Sequence, residues 1–181
     1  MIENVTNQVQ QLLSKKIDIF LFSIEGIKLG NSFDNVPLNE IVEMSLSRHD
    51  DGKFIENSSD FTFQERLKML DKHDGFIQLA GGLGVHIQNQ QIDQIRIQKK
   101  YLESFKSIVK NQIEVIFGKP DYELIDDDMM GVTIFDYSID SYISVYGKLY
   151  LFFEPDNFQL KGITLGDLNE TYYSNNTAYT K

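Results

Sequence analysis

The stretch that decides the fold reads Gly84-Val85-His86-Ile87-Gln88-Asn89-Gln90-Gln91-Ile92-Asp93-Gln94-Ile95-Arg96-Ile97. Apolar and polar residues alternate on either side of a polar centre, the period of strands with one dry face. Asn89-Gln90-Gln91 reads as the loop of a β-hairpin. Downstream, Leu102, Phe105, Ile108, Val109, Ile113, Ile116 and Phe117 recur at helical spacing and predict one helix over 102–117, with its apolar stripe buried. Gly118, with Pro120 just beyond, is the stop signal. Strands are then expected over 131–137, 142–146, 148–154 and 159–165. A hairpin, a helix and a run of strands in this order predict an α+β fold, an antiparallel sheet with two or more packed helices.

Upstream, Ile2, Val5, Val9, Leu12 and Leu13 predict an amphipathic helix over 2–15. A strand is expected over 17–22, where Ile17, Ile19 and Leu21 alternate with Asp18, Phe20 and Phe22. Gly26 to Gly30 reads as a short strand and Asn31 to Asp34 as a turn. A helix is expected over 37–46, opened by Pro37, then a polar loop over 47–60 and a short helix from Phe63 to Leu70. Residues 1–168 form a single domain in this reading, and 169–181 a polar flexible tail.

Ile92-Asp93-Gln94-Ile95-Arg96-Ile97 and Leu160-Lys161-Gly162-Ile163-Thr164-Leu165 share one pattern, each after a strand and a polar loop. The return strand of any hairpin resembles this. If the likeness marks a repeat, the fold is two similar α/β-hairpin units sharing one sheet.

The chain has 181 residues, 41% of them hydrophobic, enough for a folding domain to bury roughly 70% of the unfolded surface. There is no cysteine, so disulfides, thiolate metal sites and cysteine nucleophiles are excluded. Residues 1–5 carry neither a basic nor an apolar signal region, and the longest near-apolar run, 17–24, is far too short for a bilayer. A cytoplasmic protein with no membrane contact is expected. The net charge of −10 argues against nucleic acid and is compatible with a basic protein partner.

No complete chemical motif stands out. His49, His73 and His86 have no partner at metal-ligand spacing. Gly81-Gly82-Leu83-Gly84 lacks the lysine and the helix of a phosphate loop and reads as a turn or bulge. Asp126-Asp127-Asp128 fails the alternation of a calcium loop. No metal and no cofactor are expected.

The segment that rises above background runs from Asp121 to Asp140. It carries Asp121, Glu123, Asp126, Asp127, Asp128, Asp136 and Asp140 without a lysine or arginine, interleaved with Tyr122 and Tyr137. Tyrosine beside acidic charge suits an interface with a basic partner. These nine residues are the expected partner-binding site, against the plainer reading of a solvated loop with ordinary strand tyrosines.

The helix, then Phe117-Gly118-Lys119-Pro120-Asp121, then strands ending at Glu154-Pro155-Asp156-Asn157, resembles the helix-Gly-Lys-Pro-strand unit of SmpA/OmlA-type bacterial domains. It is also similar to small acidic immunity-like proteins of bacterial toxin systems. About a third of the chain is covered. The lipobox cysteine of the lipoprotein members is missing, so a periplasmic role is not implied. The resemblance implies a non-enzymatic binder, such as an inhibitor covering a basic toxin surface. The alternative is a small-molecule binder or enzyme whose pocket gathers scattered residues such as His86, Tyr142 and Glu154.

Overall fold

The computed structural model describes residues 2–47, 62–70, 74–97, 99–105, 107–126, 141–168 and 174–175. Helix α1 (Ile2–Ser14) buries Val5, Val9, Leu12 and Leu13, the stripe its periodicity predicts. The expected strand over 17–22 is instead a turn. The Asp18 carboxylate accepts from the Phe20 N–H at 2.9 Å, and the Asp18 carbonyl from Leu21 at 3.0 Å. A short acidic side chain that captures the backbone two residues on competes with the extended form. Ile19 and Phe22 are buried while Phe20 and Leu21 face solvent. Strands β1 (Ser23–Ile24) and β2 (Ile27–Lys28) form a small separate hairpin.

The expected helix over 37–46 is also corrected. Leu38–Glu40 makes one tight turn and Ile41–Ser47 is strand β3. Met44 and Leu46 alternate into the core, and pairing with β4 satisfies the whole segment. The β-branched pair Ile41-Val42 favours that outcome. Helix α2 (Phe63–Met69) forms as expected behind a Thr62/Glu65 capping box. Strand β4 (Asp74–Leu79) was not foreseen, although its residues alternate half-buried and buried. Strands β5 (Leu83–Gln88) and β6 (Gln91–Ile97) are the expected hairpin, turning through Asn89 and Gln90, both at positive φ.

The single helix over 102–117 is broken. Helix α3 (Lys99–Leu102) runs into a tight turn at Glu103–Phe105, and helix α4 spans Lys110–Phe117. Val109 is extended and bridges Gln159; Ile108 accepts from the Leu160 N–H. The sheet therefore draws on the backbone that the apolar spacing assigned to a helix. Phe105, Ile113 and Phe117 are buried as expected, whereas Val109 is half-buried and Ile116 exposed. Gly118 ends α4 at φ 83°, a conformation glycine adopts without strain.

Strands β7 (Tyr122–Asp126), β8 (Ser141–Tyr146), β9 (Leu149–Phe153) and β10 (Leu160–Gly166) follow, with β11 (Ser174–Asn175) pairing onto β7. The expected strand 131–137, most of the 47–60 loop and the rest of the tail lie outside the described residues. The sheet order is β11-β7-β8-β9-β10-β6-β5-β4-β3, all antiparallel. This is the α+β class read from the sequence. Helices α1, α3 and α4 and the inward strand residues share one core; Leu124, Ile143, Val145, Tyr150 and Phe152 form a second cluster.

The sheet is two four-strand meanders, β3–β6 and β7–β10, joined at its centre by β6 and β10. Ile95 pairs with Leu165 and Ile97 with Ile163, so a local twofold through Arg96 and Thr164 exchanges the two sequences that share a pattern. The same shift in numbering carries Gln90 onto Phe158, both at positive φ, and Asp93 onto Lys161, the extra residue in each strand's bulge. It also carries the Ser32–Gln91 bridge onto Val109–Gln159 in the strand it meets. The two halves follow one backbone plan.

Candidate functional site

The clearest concentration of chemistry lies where α4 begins, between β7 and β8. Strand β7 aligns Glu123 opposite Ser144 of β8, and Tyr142 lies two residues along on the same face. Glu123 is only 4% exposed. A buried carboxylate needs partners, and it has them. Lys110 Nζ, from the first position of α4, lies 2.8 Å from Glu123 Oε1 and also contacts the Glu114 carboxylate one turn on. The Tyr142 hydroxyl donates to Glu123 Oε2. Lys110 Nζ stands 5.3 Å from the centre of the Tyr142 ring, and Phe158 meets that ring edge-on at 5.2 Å. Ser144 is fully buried, and its Oγ has no hydrogen-bond partner.

The electrostatics follow from this packing. Burial works against the charge on Lys110, but its bonds to Glu114 and Glu123 and their negative charge outweigh that and hold its pKa above the usual range. Beside it, Tyr146 donates to the Gly118 carbonyl at 3.2 Å and packs against Phe117. Burial first, and then the charges of Glu114, Glu123 and Asp121, push its hydroxyl well above the ordinary tyrosine range.

The residues expected to meet a partner lie in different settings. Glu123 is buried in the ion pair, and so is not surface charge. Asp121 is exposed, but its carboxylate accepts the Gly147 N–H at 2.6 Å, tying the start of β7 to the β8–β9 turn; Tyr122 is half-buried against the second cluster. Asp126 closes β7, paired with Ser141. Asp127, Asp128, Asp136, Tyr137 and Asp140 lie outside the described residues. Sequence reading missed Lys110, Glu114 and Phe158. The spacing of Lys110 and Glu114, one helical turn apart, was the available signal.

The scattered pocket of the alternative reading is not assembled. His86 lies on the opposite sheet face from Tyr142, with β6, β10 and β9 between their strands. Its Nδ1 is 2.6 Å from Asp93 Oδ1, brought within reach by the β6 bulge, and its ring packs on Phe76. Glu154 pairs with Lys161 at 3.3 Å. His49 and His73 lie outside the described residues. Gly81 and Gly82 form the β4–β5 turn; a Cβ on Gly81 would meet the Tyr101 hydroxyl, so a side chain there would have to displace it. Among the described residues no group of three His, Cys, Asp or Glu could hold a metal, and no helix is long and apolar enough to cross a membrane.

Neither family models nor curated proteins match this chain. Among solved structures, it is similar to the crystal structure of a DUF4309 family protein (YjgB) from Bacillus subtilis subsp. subtilis str. 168. The two share 12% identity over 92% of this chain and 95% of that one, at a TM-score of 0.41. A likeness of that degree says nothing of activity or partner.

Proposed function

We propose that this chain is a non-enzymatic protein-binding module for a basic partner, acting as the immunity-like proteins it resembles would act, by covering a basic surface. The observation that carries this reading is the outer side of α4. Val115 is 87% exposed and Ile116 43%, next to Asn111, Gln112 and Lys119. A globular protein exposes single apolar residues freely, but an adjacent exposed pair on a short helix is a natural centre for an interface. Three residues beyond this helix begins the segment with seven acids and no base, of which the buried Glu123 adds no surface charge. An apolar centre with an acidic flank is the complement of a basic protein surface.

The test is capture from the native host with the tagged chain. Wild type should retain a basic protein, and Val115→Ser with Ile116→Ser should lose it without lowering the melting temperature. Equal capture by the double variant contradicts the assignment of this face.

A further inference from the structure

We propose that Glu114, Glu123 and the Tyr142 ring form a receptor for an arginine side chain of the partner, with Lys110 the resident cation that the arginine displaces. This rests on the reading of a basic protein partner. Two carboxylates and an aromatic face around one cation form a recognition geometry of general use.

Three independent observations point to a guest. First, Lys110 opens α4, where the helix dipole disfavours a cation, and no acid occupies that turn. The cation is unfavourable to the dipole of that turn and is held there by the two carboxylates. Second, Phe158 holds φ 56° although a bulky aromatic residue is disfavoured there, and its ring stands 38% exposed against Tyr142. The turn requires the positive φ, since Gln90 shares it in the other half, but it does not require a phenyl ring. The two departures touch, for the Lys110 N–H donates to the Phe158 carbonyl at 3.0 Å. Departures from local rules are expected at functional or strained positions, and here two of them meet.

Third, Ser144 Oγ is buried and unpartnered on the same face as Glu123 and Tyr142. A lysine brings three N–H donors and a guanidinium five in a planar fork. Lys110, a single nitrogen held between both carboxylates, leaves Ser144 unserved, whereas a guanidinium spreads its donors over three nitrogens of a wider fork. Exchange replaces one cation by another, so the cage is never left with two bare carboxylates. Lys110 and Glu114 are 17% and 30% exposed, which leaves the flexible lysine a way out to water.

The probe is propylguanidinium, with its neutral isostere propylurea and with propylammonium as controls, followed through the NMR signals of the Tyr142 and Phe158 rings. Wild type should respond to propylguanidinium and not to propylurea. Lys110→Ala, which vacates the cage, should bind it roughly tenfold or more tightly, the worth of one charged hydrogen-bond partner. Ser144→Ala should weaken propylguanidinium and leave propylammonium unchanged. If Lys110→Ala does not fold, the wild-type titration decides alone. No guanidinium-specific shift in wild type or in folded Lys110→Ala overturns the proposal. With the partner in hand the two readings separate. A basic partner bound equally well by Glu123→Gln sinks the cage alone, while a neutral or acidic partner beside a cage that takes propylguanidinium sinks the basic-partner reading alone.

Discussion

Lys110 Nζ lies 2.8 Å from Glu123 Oε1, joining the first residue of a helix to a carboxylate that the sheet has taken out of water. Around that contact the structure gathers Glu114, Tyr142 and Phe158.

Breaking it has a cost that can be measured. Glu123→Ala removes the bond between Glu123 and the Tyr142 hydroxyl and leaves Lys110 with Glu114, the Tyr142 ring and water. The loss should be roughly 2–3 kcal/mol, below that of a fully buried pair because Lys110 keeps some access to solvent. Urea unfolding measures it; a loss under about 0.5 kcal/mol means that the network does not support the fold.

The break between α3 and α4 makes a prediction that a continuous helix does not. Val109 is extended, half-buried and the N-cap of α4, a position where aspartate is favoured. Val109→Asp should therefore stay within about 1 kcal/mol of wild type. Ile113→Asp, which buries an unpaired charge, should cost several times as much or prevent folding. Equal damage from both substitutions in thermal melts would restore the unbroken helix.

Alkali should unfold the protein through its tyrosines and Lys110. Tyr146 and Tyr101 have raised folded pKa values, first from burial and then from nearby carboxylates, and Lys110 is raised as well. A group raised on folding contributes stability that is complete below its unfolded pKa, about 10 for these groups, and lost as pH climbs toward the folded value. Stability should be level near neutrality and fall above about pH 10. Tyr146→Phe should flatten part of that fall, as followed by denaturant midpoints across the alkaline range. An unchanged slope contradicts this origin.

Much of the fold is legible in local pattern. The 83–97 hairpin announces itself because its alternation is regular and its turn polar, and α1 because its stripe is unbroken. Two of the misread elements share a cause: backbone partners distant in sequence. Ile41 to Ser47 and Ile108-Val109 have apolar spacings that suit a helix, and only pairing with β4 in the first and with Gln159 and Leu160 in the second takes them out of it. At 17–22 a single side chain, Asp18, overrides the alternation. Glu123 is one acid of seven in its segment, and nothing local distinguishes it until the β7–β8 register sets it opposite Ser144 and beneath Lys110. The repeat was visible as a six-residue likeness; the shared bulge, bridge and positive φ make it a plan.

The central claim, that an acidic face steers this chain onto a basic protein, is tested most directly by association kinetics with the captured partner as salt is varied. Charges on opposed surfaces are screened beyond roughly 8–10 Å at physiological ionic strength. The wild-type on-rate should therefore be high in low salt and fall steeply as salt is added, with the off-rate little changed. Asp126→Lys, Asp127→Lys and Asp128→Lys together should abolish most of that acceleration. A triple variant that associates as fast as wild type in low salt contradicts the claim and leaves the acidic segment as solubilising charge.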